Sequence, residues 1–129
     1  MSFFDKFKSF TAGPSVSDLW NHPQTEDDIR AIFEPGAGPQ LIYKHSFACH
    51  ICTYSLMDLE KQLGTIKEKA GAHFIDVRAQ RPLSNLVAEL SGIQHQSPQA
   101  ILLHKGEAFW HDSHSGIRSA VLLEALGEL

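Results

Sequence analysis

Apolar residues first recur at helical spacing in Phe3, Phe4, Phe7 and Phe10, with Asp5, Lys6 and Lys8 between them. That pattern predicts a short amphipathic helix. Thr11-Ala12-Gly13-Pro14-Ser15 is turn-rich and reads as a linker. Residues 1–15 are therefore expected to be an N-terminal segment, and 16–129 a single domain. Val16 to Trp20 suits a short edge strand. Thr25 is a good N-cap, Glu26, Asp27 and Asp28 favour the dipole of the helix it opens, and Ile29, Ile32 and Phe33 form its apolar stripe. Pro35-Gly36-Ala37-Gly38-Pro39 stops it. Gln40 to His45 predicts a strand. Thr53 to Leu63 follows as a helix, with Leu56, Leu59 and Leu63 on one face, Gly64 weakening it and Lys67-Glu68-Lys69 as a solvated end. His73 to Val77 predicts a second strand. Ser84 can cap a helix over Asn85 to Ser91 that Gly92 ends. Ala100 to His104 is a third strand, Lys105-Gly106-Glu107 a tight turn, and Ala108 to His111 a fourth strand. The last helix begins near Ser115 to Ile117 and turns Val121, Leu122, Ala125 and Leu126 inward.

Strands alternating with helices, then a hairpin and a helix, describe an α/β sandwich. The first β-α-β crossover is expected to be right-handed with parallel strands. The predicted architecture is a central mixed sheet of four to five strands flanked by helices. With 129 residues and 43% hydrophobic side chains, such a core needs no staple to fold. The net charge of -4 and the lack of a Lys/Arg cluster argue against nucleic-acid binding. No apolar run approaches the ~20 residues that span a bilayer. The charged N-terminus lacks the apolar stretch of a secretory signal, so a cytoplasmic location is expected.

The two cysteines sit together as Cys49-His50-Ile51-Cys52, at the junction of a strand end and a helix start. A bridge three residues apart closes almost no loop, so its value as a staple is small and its value as chemistry larger. Cys-x-x-Cys after the first core strand of a β-α-β pattern resembles a thioredoxin-like domain. The thiolate is the nucleophile of disulfide exchange, and a free thiol, with a pKa of about 8.5, is little ionised at neutral pH. Free N–H groups and the positive dipole end at a helix start favour the anion on Cys49. A cationic His50 would add to this, and Lys44 and His45 lie on the preceding strand end. Cys52, one turn further in, is expected to be more buried and to resolve a mixed disulfide on Cys49. Ser97-Pro98 precedes the third strand, where a thioredoxin-like fold places a cis-proline facing the reactive cysteine. That geometry would leave the backbone of Ser97 to pair with an extended substrate. No cofactor is called for beyond the thiol pair.

Other chemistries fit less well. Cys49, Cys52, His111 and His114 could supply two thiolates and two imidazoles to zinc, which would suit a non-enzymatic binding or adaptor domain. Nothing in the spacing brings the two pairs together. His45, His95 and His114 could tune the cysteine end; His22, His73 and His104 read as partly exposed. Trp110-His111-Asp112-Ser113-His114 holds Ser, His and Asp, but geometry defines a triad and no nucleophile elbow is present. Gly36-Ala37-Gly38-Pro39 precedes a strand, so it lacks the context of a phosphate loop.

Tyr43-Lys44-His45-Ser46, Arg81-Pro82-Leu83-Ser84-Asn85, His95-Gln96-Ser97-Pro98-Gln99, Trp110 and Ser113-His114 together resemble the YtxJ-type bacillithiol-system family, the monothiol bacilliredoxins. The similarity runs from about Val16 to Leu126. It implies a thioredoxin-like fold, a cytoplasmic bacterial protein, and a Cys49 that removes a low-molecular-weight thiol from protein cysteines and is itself transiently thiolated. It also supports Pro98 as the cis-proline. Thiolated or disulfide-bonded proteins would be the clients, and the small thiol the co-substrate. The family pattern reads Cys-Pro-Ile-Ser where this chain has Cys49-His50-Ile51-Cys52. His50 thus replaces a proline that stiffens the helix start. Cys52 replaces a serine and supplies an internal resolving thiol, which opens direct reduction of protein disulfides as well.

Overall fold

The computed structural model describes residues 16–129; the expected Phe3–Phe10 helix and its linker lie outside them. The first helix, α1 (Glu26–Ile32), begins as expected. The Thr25 hydroxyl accepts the Asp28 N–H at 3.1 Å, and the Asp28 carboxylate accepts the Thr25 N–H in return. Strand β1 (Gln40–His45) leads to α2 (His50–Lys61) and a short α3 (Leu63–Lys67). Strand β2 (Gly71–Asp76) is followed by α4 (Arg81–Ser91). A hairpin of β3 (Gln99–His104) and β4 (Glu107–Ser113) precedes the closing helix α5 (Ser119–Gly127).

These four strands form one mixed sheet in the order β2-β1-β3-β4. β1 runs parallel to β2 and antiparallel to β3, and β3 is antiparallel to β4. Because β1 is paired on both edges and covered on both faces, every residue from Leu41 to His45 is buried. Strand parity then divides its side chains. Leu41 and Tyr43 face a core with Trp20, Leu56, Leu59, Phe74, Leu102, Leu122 and Leu126, so α2, α3 and α5 cover this side. Ile42 faces a second core with Ile29, Ile32, Ile75, Leu83, Val87 and Ile101, so α1 and α4 cover the other. β4 is the outer strand, and its residues alternate in exposure.

Three local expectations need correction. Val16 to Trp20 is a turn, not a strand; only Asn21 bridges the outer edge of β2, through bonds to Ala72 and Phe74. Glu60 holds that turn, accepting the Ser17 N–H at 2.6 Å and the Trp20 indole N–H at 2.8 Å. Ser84 does not cap a helix. α4 begins at Arg81, with Pro82 in its first turn and Gln80 as N-cap, and Ser84 is buried inside it. Proline fits there because the first-turn N–H has no intrahelical partner to lose. The last helix starts at Ser119, after a 3-10 turn over His114–Gly116.

Two predictions concern stability. Gly106 has a φ of +80°, and a Cβ there would stand 2.5 Å from the Phe33 carbonyl oxygen. Gly106→Ala should cost about 1–3 kcal/mol, read as a lower urea midpoint; an unchanged midpoint would contradict the packing. The second concerns buried histidines. Burial lowers both His45 and His73 to about 4. The unfolded chain takes up these protons near pH 6.5 and the folded chain does not, so stability is lost as pH falls from about 6.5 towards 4. Urea midpoints should therefore drop between pH 7 and pH 5, and His73→Gln should flatten part of that slope.

Candidate active site

Cys49 is itself the N-cap of α2. Its backbone is extended, with φ -113° and ψ 121°, and its sulfur accepts the Cys52 N–H at 3.4 Å. A tight turn sets it up, in which the Cys49 N–H donates to the Ser46 carbonyl at 3.1 Å. Chemically, the sulfur occupies the place a Ser or Asp oxygen normally takes at a helix start. The Cys52 amide holds the Cys49 thiol below its ordinary value, and the Cys52 thiol and, to a lesser extent, the Ile51 amide add to the effect against the opposing cost of burial. Cys49 is half-buried and Cys52 fully buried. Burial pushes the Cys52 thiol up and the neighbouring Cys49 sulfur adds to this, while the Ser46 backbone and the Ser97 hydroxyl act the other way. The two sulfurs are thus unequal: the outer one favours the anion and the inner one favours the protonated thiol.

Beneath them, β1 supplies a polar support that the sequence did not point to. The Tyr43 hydroxyl lies 3.1 Å from the Cys52 carbonyl oxygen and 3.0 Å from His45 Nδ1. One proton assignment uses both contacts: His45 Nδ1–H donates to the Tyr43 oxygen, and Tyr43 donates to the carbonyl. Burial raises Tyr43, with the two cysteine sulfurs contributing, so the hydroxyl keeps its proton. His45, Tyr43 and Phe74 form one ring cluster that Phe47 joins at the surface.

The Ser97–Pro98 bond is cis and Pro98 is buried. The Ser97 hydroxyl lies 3.8 Å from the Cys52 sulfur, so the loop before β3 abuts the cysteine pair. On its other side, the Pro98 carbonyl accepts the His114 N–H at 3.1 Å, and the His114 carbonyl accepts the Ser55 hydroxyl at 3.5 Å. The turn after β4 therefore clamps the proline loop to α2. His114 itself has a φ of +55°, rare for a side chain with a Cβ.

The structure separates the three residues expected to tune Cys49. His50 is exposed on the first turn of α2. His45 is buried with Tyr43 and is neutral at neutral pH, so it brings no positive charge to the thiolate. Lys44 projects to the opposite face of the sheet, where its Nζ donates to the Ser84 carbonyl at 3.0 Å and to His95 Nδ1 at 3.2 Å. The interactions that lower Cys49 come instead from its own helix. Ser84, read from sequence as a cap, is a partner of His95, its hydroxyl 3.1 Å from the same Nδ1. The alternation of a buried strand is the signal that would have placed Tyr43 under the pair and Lys44 away from it.

Among the described residues no group of three or more His, Cys, Asp or Glu could hold a metal ion, so Cys49 and Cys52 do not meet His111 and His114 in such a cluster. No helix among them is long and apolar enough to cross a membrane. Along α2 and the turn before it, Phe47, Ile51, Tyr54 and Met57 are exposed. A separate cleft of about 360 Å³, lined by Asn21, His22, Asp28, Gln40 and His73 among others, opens nearer the starting ends of β1 and β2, away from the cysteines.

Comparison with solved structures agrees with this architecture. A proposed oxidoreductase with a thioredoxin fold is 24% identical, with a TM-score of 0.72 over 83% of this chain and 93% of that one. The thioredoxin of Malassezia sympodialis, Mala s 13, is 18% identical with a TM-score of 0.67, over 84% of this chain and 89% of its own. That of Fasciola hepatica is 15% identical with a TM-score of 0.65, over 84% and 97% respectively. The fold is thioredoxin-like, as expected, with four strands in its sheet among the described residues. The family model described as monothiol bacilliredoxin BrxC matches residues 22–122, a span that contains the capped Cys49, the buried Cys52 and the cis Ser97–Pro98 bond, and the chain therefore belongs to the monothiol bacilliredoxin family of thiol–disulfide oxidoreductases.

Proposed function

We propose that this protein reduces mixed disulfides between protein cysteines and a low-molecular-weight thiol, in the cytoplasm, by a two-cysteine mechanism. The observation that carries the reading is the inequality of the two sulfurs. Cys49 is reachable and held by helix N–H groups; Cys52 is sealed one turn behind it.

The steps balance as ordinary thiol–disulfide exchange. The Cys49 thiolate attacks the small-thiol sulfur of the mixed disulfide. A new S–S bond forms to Cys49, the old one breaks, and the client leaves as a thiolate that takes a proton. Cys52 then gives up its proton and attacks the Cys49 sulfur. The small thiol departs, and Cys49 and Cys52 are left as a disulfide. Two electrons pass from the cysteine pair to the mixed disulfide, with no further cofactor. Both sulfurs already sit on one helical turn, so the second attack is intramolecular and gains the advantage of a tethered nucleophile. Once the inner sulfur has lost its proton, the Ser97 hydroxyl can donate to it, which favours the attacking form. The exposed Phe47, Ile51, Tyr54 and Met57 support a protein client, since apolar side chains exposed on the turn and helix that carry the thiol can be covered by one. An extended client segment would lie along Ser97, and Pro98 would keep that stretch of chain in place. A client with an internal disulfide could enter the same sequence of steps.

Intact-mass analysis tests the mechanism. Oxidation of the reduced protein with a small-thiol disulfide should remove the mass of two hydrogens, with no lasting adduct. Cys52→Ser should instead accumulate one thiol adduct on Cys49, and Cys49→Ser should form none. A wild-type protein that stops at the adduct would contradict a resolving role for Cys52. An adduct on Cys49→Ser would contradict the assignment of the nucleophile.

A further inference from the structure

Arg81, His95 and Lys44 share a corner of the sheet rim that carries Cys49. Arg81 opens α4 just beyond the end of β2, and His95 lies in the loop that enters β3. His95 is two residues from Ser97, so their Cα atoms are within about 7 Å, and the Ser97 hydroxyl touches the Cys52 sulfur.

The hydrogen bonds assign the proton on His95. A protonated Lys44 only donates, so Nδ1 accepts from it. The neutral ring therefore carries its proton on Nε2, and that N–H has no partner among the described residues. Arg81 uses its Nε to donate to Asn85 Oδ1 at 3.1 Å; its terminal N–H groups likewise have no partner there. Among the described residues, neither Arg81 nor Lys44 has a carboxylate partner. Lys44, fully buried, reaches only a carbonyl and an imidazole nitrogen. Asp76 ends β2 on the same rim, but its carboxylate accepts the N–H groups of Arg78 and Ala79. In a chain of net charge -4, two cations and a fixed N–H donor thus stand together with no carboxylate hydrogen-bonded to them among the described residues.

The floor of the corner is unsaturated as well. Gln99 lies opposite Lys44 in the β1·β3 register and is buried. Its amide nitrogen donates to the Gln94 carbonyl at 3.0 Å, which fixes the amide, and its Oε1 is buried with no partner. Buried polar atoms are nearly always satisfied, so this acceptor calls for a donor, which an ionised carboxylate does not carry; a ligand would have to meet it with an N–H or O–H group of its own.

We propose that Arg81 and His95, backed by the buried charge of Lys44, form a recognition subsite for the carboxylate groups of an anionic low-molecular-weight thiol. The inference rests on the reading that such a thiol is exchanged at Cys49. Arg81 supplies paired N–H donors that match a carboxylate. His95 contributes its Nε2–H, and Lys44 acts as a positioning residue by fixing the imidazole tautomer. An incoming carboxylate also offsets the repulsion between the Arg81 and Lys44 cations.

The test uses the full-length protein and small disulfides of different charge: glutathione disulfide, which bears carboxylates, neutral 2-hydroxyethyl disulfide and cationic cystamine. Each rate is divided by that of dithiothreitol on the same disulfide to remove intrinsic reactivity. The corrected kcat/KM should favour glutathione disulfide over cystamine by about tenfold at low salt, narrowing as salt rises. Arg81→Gln should cut that ratio at least about fivefold, and Arg81→Lys should restore part of it. A ratio unmoved by Arg81→Gln would overturn the subsite. Binding of S-methylglutathione, followed by amide chemical shifts, needs no electron transfer and separates the two claims. Shifts at Arg81 and His95 that vanish in Arg81→Gln uphold the subsite even if no disulfide is turned over, in which case the proposed activity alone fails. Absence of binding in the wild type overturns the subsite even if all three disulfides are reduced.

Discussion

The bond from the Cys52 N–H to the Cys49 sulfur ties the fold to the chemistry. A helix start leaves its first N–H groups without intrahelical partners, and something must satisfy them. Here a sulfur does so, and the anion is the better acceptor. Capping the helix and ionising the thiol are therefore one event. The same geometry forces Cys52 into the first turn and under cover, so one sulfur meets clients while the other waits behind it.

That bond is only as well placed as the helix that provides it. α2 is held along its length by hydrogen bonds to distant parts of the chain. Tyr43 from β1 contacts the Cys52 carbonyl, and Ser55 donates to the turn at His114. The Asp58 carboxylate accepts the Ser119 N–H, and Glu60 accepts Trp20. β1, central and covered on both faces, carries the site on both of its sides. Tyr43 and His45 support the cysteine pair from one face. Lys44 reaches the His95 loop from the other. Consecutive residues on one strand thus serve the thiols and the proposed carboxylate corner separately.

Much of this was legible in the residues. The bounding turns and composition marked β1, β2 and the β3–β4 hairpin. The placement of Cys49 between a strand and a helix, and the position of Pro98 before β3, followed from spacing. The apolar spacing marks α2 only from Thr53 although the helix begins at His50, because a cysteine is not an ordinary cap and gives no capping signal. Ser84 carried the opposite error: a residue type that favours caps is used inside a helix, and the useful sign was Pro82 just before it. Lys44 and His45 both lie on the strand end that precedes Cys49. Adjacency in a strand means opposite faces, and burial removes the proton from His45. The Tyr43 contact and the unsatisfied Gln99 depend on packing across the sheet, which no local pattern encodes.

The central claim is that helix N–H groups hold the Cys49 sulfur as an anion. The most direct measurement is the rate of Cys49 alkylation by iodoacetamide as a function of pH, in Cys52→Ser and in the reduced wild type. The predicted result is a titration midpoint below the ~8.5 of a free thiol in both proteins, with Cys52 unmodified in the folded wild type. A midpoint at or above that of a free thiol, or preferential alkylation of Cys52, would contradict it.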